Sequence, residues 1–224
     1  MTGGLYRLLA WLSPNFPTGA FSYSHGLEAA AERAVVRDRA SLEAWVATIV
    51  EQGSGRIDAD ILCSAYRAAA AGDGAALADA DQRGAAYRAT AELALESAQQ
   101  GEAFRAAYEA AWIAPNGPSP PAARRFLCHS AAFGAAGAGA GIALEDALLG
   151  YLQAFAANLI AAGLRLGIVG QTDGQRILAA LEPLIAGAVQ AAIERDPEDF
   201  GSATFAADLQ SMAHETLYSR LFRS

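Results

Sequence analysis

Apolar positions recur three and four residues apart along most of this chain and nowhere alternate for long. That period belongs to the helix, not the strand. Leu5, Leu8, Leu9 and Leu12 predict a short opening helix. It should end at Ser13-Pro14, because the residue before a proline avoids helical dihedrals. Residues 14–24 (PNFPTGAFSYS) read as a loop, with a helix expected from about Ser24 through Leu27. Ser41 is the expected N-cap of a helix with Glu43 in its first turn and Leu42, Trp45, Val46 and Ile49 on its apolar face. Gly53 and Gly55 close it. Ile57, Ile61, Leu62 and Ala65 open the next helix, which stops at Gly72-Asp73-Gly74. Residues 75–112 predict one long helix, or two broken near Gly84, with Phe104, Tyr108 and Trp112 along the end.

The stretch 114–121 (APNGPSPP) is the strongest break, read as a surface loop and not a domain boundary. Residues 134–141 (GAAGAGAG) read as small and flexible. They lead into the clearest helix, from about Leu144 to Leu166, where Leu144, Leu148, Leu152, Phe155, Leu159 and Leu166 form one stripe and Gly167 stops it. Thr172 and Gln175 predict a capping box, and Pro183 should kink or restart the helix that follows. A final helix is expected from about Ala206 to Phe222, with Leu209, Met212, Thr216 and Leu217 on one side. The chain shows no internal repeat. The expected class is all-α, a single-domain bundle over residues 1–224, with about eight to ten helices by this pattern.

Composition strengthens that picture. Apolar residues are 53% of the 224, dominated by Ala, the best helix former. Asp and Glu number 24 against 16 basic residues, a formal charge of −8, and every basic residue is Arg. An acidic balance argues against nucleic acid and against an anionic membrane surface, both of which need a basic stripe. No run of about 18 uninterrupted apolar residues predicts a membrane span. Met1 to Leu12 lacks the basic start of a secretory signal. The expected location is the cytoplasm, with Cys63 and Cys128 as free thiols.

Catalytic patterns are poorly matched. Ser24 in S-Y-S-H-G lacks the first glycine and the strand of a nucleophile elbow, and reads better as a helix cap. Gly137 and Gly139 begin a dinucleotide-type spacing, but Ile142 stands where the third glycine belongs. A chain without Lys holds neither a phosphate-loop lysine nor a Schiff-base lysine. His25, His129 and His214, with Cys63 and Cys128, show no metal-ligand spacing.

Two segments resist a bland reading. Residues 13–28 (SPNFPTGAFSYSHGLE) spend Phe16, Phe21 and Tyr23 on a short stiff connection. They could plug the core, or present the rigid aromatics of a binding surface. Residues 214–224 (HETLYSRLFRS) place His214, Tyr218, Arg220, Phe222 and Arg223 together, and such a tail can order upon a partner.

These segments resemble UreF, a family of urease accessory proteins. Its signature S-P-x-x-P-x-G-x-F-S-Y-S-x-G-L-E is matched at Ser13, Pro14, Pro17, Gly19, Phe21, Ser22, Tyr23, Ser24, Gly26, Leu27 and Glu28. The ending, His214-Glu215 with Tyr218 through Ser224, is similar to that family's ending. Between them Ser97, Gly101, Phe133-Gly134, Tyr151, Asn158, Arg165, Gly167, Gly170, Gln171 and Gly174 follow in order. Two places depart: Glu96 to Gly101 match loosely, and Cys128-His129-Ser130 replaces an H-P pair.

The resemblance implies an all-α, non-enzymatic homodimer. Its implied partners are a UreD (or UreH)-like protein, the UreG GTPase and the urease apoprotein, with nickel handled by the assembled complex and no cofactor bound directly. Candidate partner-binding residues are Pro17, Phe21, Ser22, Tyr23 and Glu28 in the loop, and His214, Glu215, Tyr218, Arg220, Phe222 and Arg223 in the tail. Tyr151, Asn158 and Arg165, seven residues apart, make a further polar line, facing a partner or the other protomer or simply flanking the helix. Competing expectations are a stand-alone metal-binding chaperone, a regulator of the GTPase supplying an Arg, and a hydrolase using Ser24.

Overall fold

The computed structural model describes residues 2–113 and 128–224. The stretch 114–121, expected as a surface loop, lies outside the described residues. Among the described residues there are eleven α-helices, one 3-10 turn and no strand. The all-α class holds. The count runs to eleven because the segment carrying Pro183 is two helices, α9 (Gln171–Ala180) and α10 (Glu182–Glu194), with the proline in the first turn of the second, where its missing N–H does no harm.

The opening helix α1 (Thr2–Trp11) precedes the loop, which contains a 3-10 turn at Ala20–Ser22 and leads into α2 (Leu27–Glu32). α2 begins later than expected. Then come α3 (Arg39–Gln52), α4 (Ser54–Ala71), α5 (Gly74–Ala86) and α6 (Ala91–Ala111). The N-cap of α3 is Asp38, not Ser41. The Asp38 side chain accepts from the Ser41 N–H at 2.9 Å, while the Ser41 hydroxyl oxygen accepts from the Asp38 N–H at 3.1 Å. The break between α5 and α6 falls past Gly84, at Thr90, whose hydroxyl caps α6 through the Leu93 N–H.

Residues 134–141, expected to be flexible, belong mostly to α7 (His129–Gly139), a buried helix lying against α4. Gly lowers helix propensity by ~1 kcal/mol per residue, and here tertiary packing overrides it. A Cβ on Gly134 would stand 2.6 Å from the Leu62 carbonyl oxygen, so the small residues are what lets two helix backbones approach. α8 (Leu144–Arg165) follows the expected bounds. It is long and apolar enough to cross a membrane by composition, yet half of that stretch is buried inside the fold. Gly170 stands at the start of α9 without a side-chain cap, so Thr172 and Gln175 form no capping box.

The last helix, α11 (Phe205–His214), ends well before Phe222. The residues beyond it continue as turns and bends along the body of the chain. One large hydrophobic cluster joins α1, α2, α3, α4, α6, α7, α8, α9 and α10, including Leu27, Leu42, Leu62, Phe104, Phe133, Leu148 and Ile177. A smaller one, with Ile57, Ile61, Leu77 and Cys128, fills the space between α4, α5 and α7. Burial pushes the Cys63 thiol up to about 11 and the Cys128 thiol up to about 12, leaving both protonated and unreactive.

Candidate functional site

The two segments singled out in the sequence meet. α2 enters the core at Gly26, whose φ of 74° favours glycine and whose added Cβ would fall 2.6 Å from the Ser211 nitrogen of α11. This close approach brings the start of α2, the start of α6 and the end of α11 around one point. His25 just before it also has positive φ, 53°, which turns its ring inward.

Glu28 sits at that point with a side chain only 12% exposed. Its two oxygens accept the Leu221 N–H at 2.7 Å and the Phe222 N–H at 2.9 Å. His214, completely buried, places Nε2 3.1 Å from Glu28 and Nδ1 2.6 Å from Glu92. The second Glu92 oxygen accepts from Arg220 at 2.6 Å. One layer deeper, Glu96 meets His25 Nε2 at 2.8 Å and accepts from the Ser224 hydroxyl at 2.8 Å. Main-chain bonds complete the junction: the Ser24 N–H donates to the main-chain oxygen of Ser224 at 2.9 Å, and the Arg223 N–H to the Ser22 carbonyl at 2.8 Å. The tail, read either as a segment that can order on a partner or as a final helix packed on the core, here lies against its own chain without being helical.

α8 holds the loop from the other side. The Asn158 amide donates to the Ala20 carbonyl at 3.0 Å, and the Arg165 guanidinium donates to the Phe21 carbonyl. Arg165 also lies 4.4 Å from the centroid of the buried Phe222 ring. Tyr151, placed with them on one polar line by spacing, is instead buried at 5% exposure beside His129 and Phe133. Asn158 and Arg165 are therefore clamps for the loop, and Tyr151 is part of the interior.

The loop aromatics divide. Phe16 packs 5.3 Å from Phe104. Tyr23 is buried and donates its hydroxyl to Gln99 at 2.6 Å. Phe21 stands 67% exposed. In the tail, Tyr218 is fully exposed and Leu221 is 62% exposed, while Glu215 and Arg223 also face outward. Pro17 is exposed at the rim of a cleft of about 700 Å³ whose wall is the loop and whose interior includes Asp58, Arg88, His129 and Tyr151.

Inside the cleft Asp58 and Arg88 form a buried pair at 2.6 Å. Burial pushes the Asp58 carboxyl up, but the Arg88 guanidinium overrides it and holds it below the ordinary value. Burial pushes the His129 imidazole down to about 4, so it is neutral near pH 7. Burial, reinforced by the Asp58 charge, raises the Tyr151 phenol well above its usual range. None of these groups is poised to exchange a proton near neutral pH.

Ser24 donates its hydroxyl to the Ser224 main-chain oxygen and accepts the Glu28 N–H at 3.3 Å, so it joins the junction. Ser54, His25 and Glu96 do run in the order of a triad, with separations of 3.1 and 2.8 Å. The void beside them is about 20 Å³, room for about one water. No ester or amide fits in that void beside Ser54, while His25 and Glu96 also line the larger cleft. Among the described residues no group of three His, Cys, Asp or Glu side chains could hold a metal ion.

Glu92, Glu96 and Gln99 were not anticipated. Glu96 and Gln100 are four apart on α6 and share the buried face with Leu93 and Phe104, and polar residues in that phase are a readable signal.

The fold and this junction define an all-helical protein that joins its two most distinctive segments into one shaped surface. The family model for UreF matches residues 36–182, and the curated relatives extend the likeness to both ends. The urease accessory protein UreF of Granulibacter bethesdensis is 48% identical over 98% of this chain and 94% of its own length. Those of Bradyrhizobium sp. and Rhodopseudomonas palustris are 45% and 46% identical over 98% of this chain, and 92% and 93% of their own lengths. The chain belongs to the UreF family of urease accessory proteins.

Proposed function

We propose that this chain is a non-catalytic assembly factor that bridges a UreD/UreH-like protein and the UreG GTPase on the urease apoprotein. It acts as a homodimer in the cytoplasm, and nickel is carried by the assembled complex and not bound by this chain directly. The observation that carries the reading is the union of loop and tail, which sets Phe21, Tyr218 and Leu221 outward on backbone already fixed from beneath. Pre-ordered apolar side chains bind without a large entropy cost. The tail contributes the surface for the UreD/UreH-like protein, and the loop contributes to the surface for the GTPase.

The test is co-purification of the chain with both partners, followed by size-exclusion chromatography. The full chain is expected to form a stable complex. A version ending at His214, which keeps the buried imidazole, is expected to lose the UreD/UreH-like protein while retaining its helical circular dichroism. A truncated chain that still co-purifies overturns the role given to the tail, and a well-folded full chain that binds neither partner overturns the assembly role.

A further inference from the structure

The cleft between the loop, α6 and α8 has a volume of about 700 Å³. Small-molecule sites fall in this range, ~300–1,000 Å³, and combine apolar walls with a few fixed polar groups. Leu12, Phe16, Leu93 and Phe155 supply the apolar wall. The Asp, Glu and Arg side chains that line it are Asp58, Glu96, Arg88 and Arg165, two of each sign. The His129 imidazole, with its pKa pushed down to about 4 by burial, adds no charge near neutral pH. Both Glu96 oxygens are occupied, one by His25 and the Gln100 amide, the other by the Ser224 hydroxyl. A charged guest would meet no net attraction here and would lose its hydration.

The floor of the cleft carries two groups that the fold leaves unmet. The Arg88 side chain is only 4% exposed. Its Nε donates to the Gly84 carbonyl at 2.9 Å and its Nη2 to Asp58 at 2.6 Å, while Nη1 has no partner among the described residues. Asp58 is ionised and can only accept, so Tyr151 gives its hydroxyl proton to that carboxylate. The phenol oxygen is then left to accept from His129 Nδ1, 3.5 Å away. A neutral imidazole protonated at Nδ1 carries its lone pair on Nε2. Nε2 also has no partner among the described residues. The floor therefore offers one donor and one acceptor, and its complement is a guest with a carbonyl oxygen and an N–H on the same carbon.

We infer that the cleft is a binding site for a small uncharged carboxamide with an apolar or aromatic body. Its carbonyl oxygen accepts from Arg88 Nη1, its NH₂ donates to His129 Nε2, and its body packs against Phe16 and Phe155. The matching carboxylic acid, ionised near neutral pH, has two acceptors and no donor for Nε2. It also brings a negative charge to a cleft that already holds Asp58 and Glu96.

The test is a titration of the isolated chain near neutral pH with benzamide and with benzoate, followed by ¹H–¹⁵N NMR. Benzamide is expected to give saturable shifts at the amides of Ser97, His129 and Ala154, which line the cleft. Benzoate is expected to bind about tenfold more weakly or worse, the order that a mispaired buried polar group brings. His129→Phe keeps a ring and removes Nε2, and is expected to weaken benzamide by about tenfold while the helical circular dichroism is retained. If His129→Phe does not fold, Ala154→Phe, on the half-buried wall of α8, serves instead by filling the cleft and abolishing binding. Absence of saturable shifts with benzamide, equal binding of benzoate, or benzamide binding that the folded variant leaves unchanged overturns the inference. No partner is present, so the outcome is separate from that of the assembly role.

Discussion

Replacing Glu28 by Gln tests whether the junction is held by one carboxylate. In the native chain both oxygens accept: one takes the Leu221 N–H, the other the Phe222 N–H and His214. An amide keeps one oxygen and sets its NH₂ against a donor, whichever way it is turned. One bond to a charged acceptor is lost outright and the other becomes a neutral one. A bond to a charged group contributes ~1.5–3 kcal/mol, so a loss of about 2–3 kcal/mol is expected. That changes the ratio of docked to released tail about 30- to 150-fold. Ordering each residue costs ~1–2 kcal/mol of backbone entropy, so tail docking rests on a narrow margin and such a loss is enough to free it. Hydrogen exchange read by mass spectrometry should show the peptide covering residues 219–224 losing protection. Peptides from α4 and α5, which pack away from α2 and the tail, should be unchanged. Native-like protection of the tail in Glu28→Gln would refute the reasoning and place the holding energy in Phe222 burial and the Ser24 bonds.

Two further changes probe the body of the fold. Gly134→Ala puts a methyl 2.6 Å from the Leu62 carbonyl oxygen, so the α4–α7 packing must open; a loss of about 1–3 kcal/mol is expected in urea denaturation, and an unchanged midpoint would show that the helices part without strain. Stability should also fall on acidification through His129: the folded ring stays neutral down to about 4, while the unfolded ring takes a proton below its usual 6.5. The unfolded state therefore binds more protons between those two values, stability rises with pH across that window, and up to about 3 kcal/mol is lost at its acid end. Denaturation midpoints from neutral pH to about pH 4.5, with His129→Phe as the flatter control, check the sign.

The helical class, the bounds of α8 and the unusual composition of the two ends were legible because each depends on neighbours in the chain. Periodicity reports which face of a helix is apolar, and a proline or a Gly-Asp-Gly run acts on the residues beside it. The expectations that changed share another feature. GAAGAGAG looks flexible by propensity and becomes the buried α7, because its lack of side chains is what α4 requires. Tyr151, Asn158 and Arg165 share a spacing, yet their roles separate according to what lies opposite: an interior aromatic cluster for the first, main-chain carbonyls of the loop for the other two.

Sequence by itself determined the helical class, the family and the two segments worth attention. Tertiary structure decided that those segments form one site. Glu28 meets the tail N–H groups 193 and 194 positions away, and Glu92 meets His214 across 122. No local pattern encodes such pairings. They exist because Gly26 lets α2 lie against α11, and because a buried carboxylate is stable only where donors from elsewhere in the chain come to meet it.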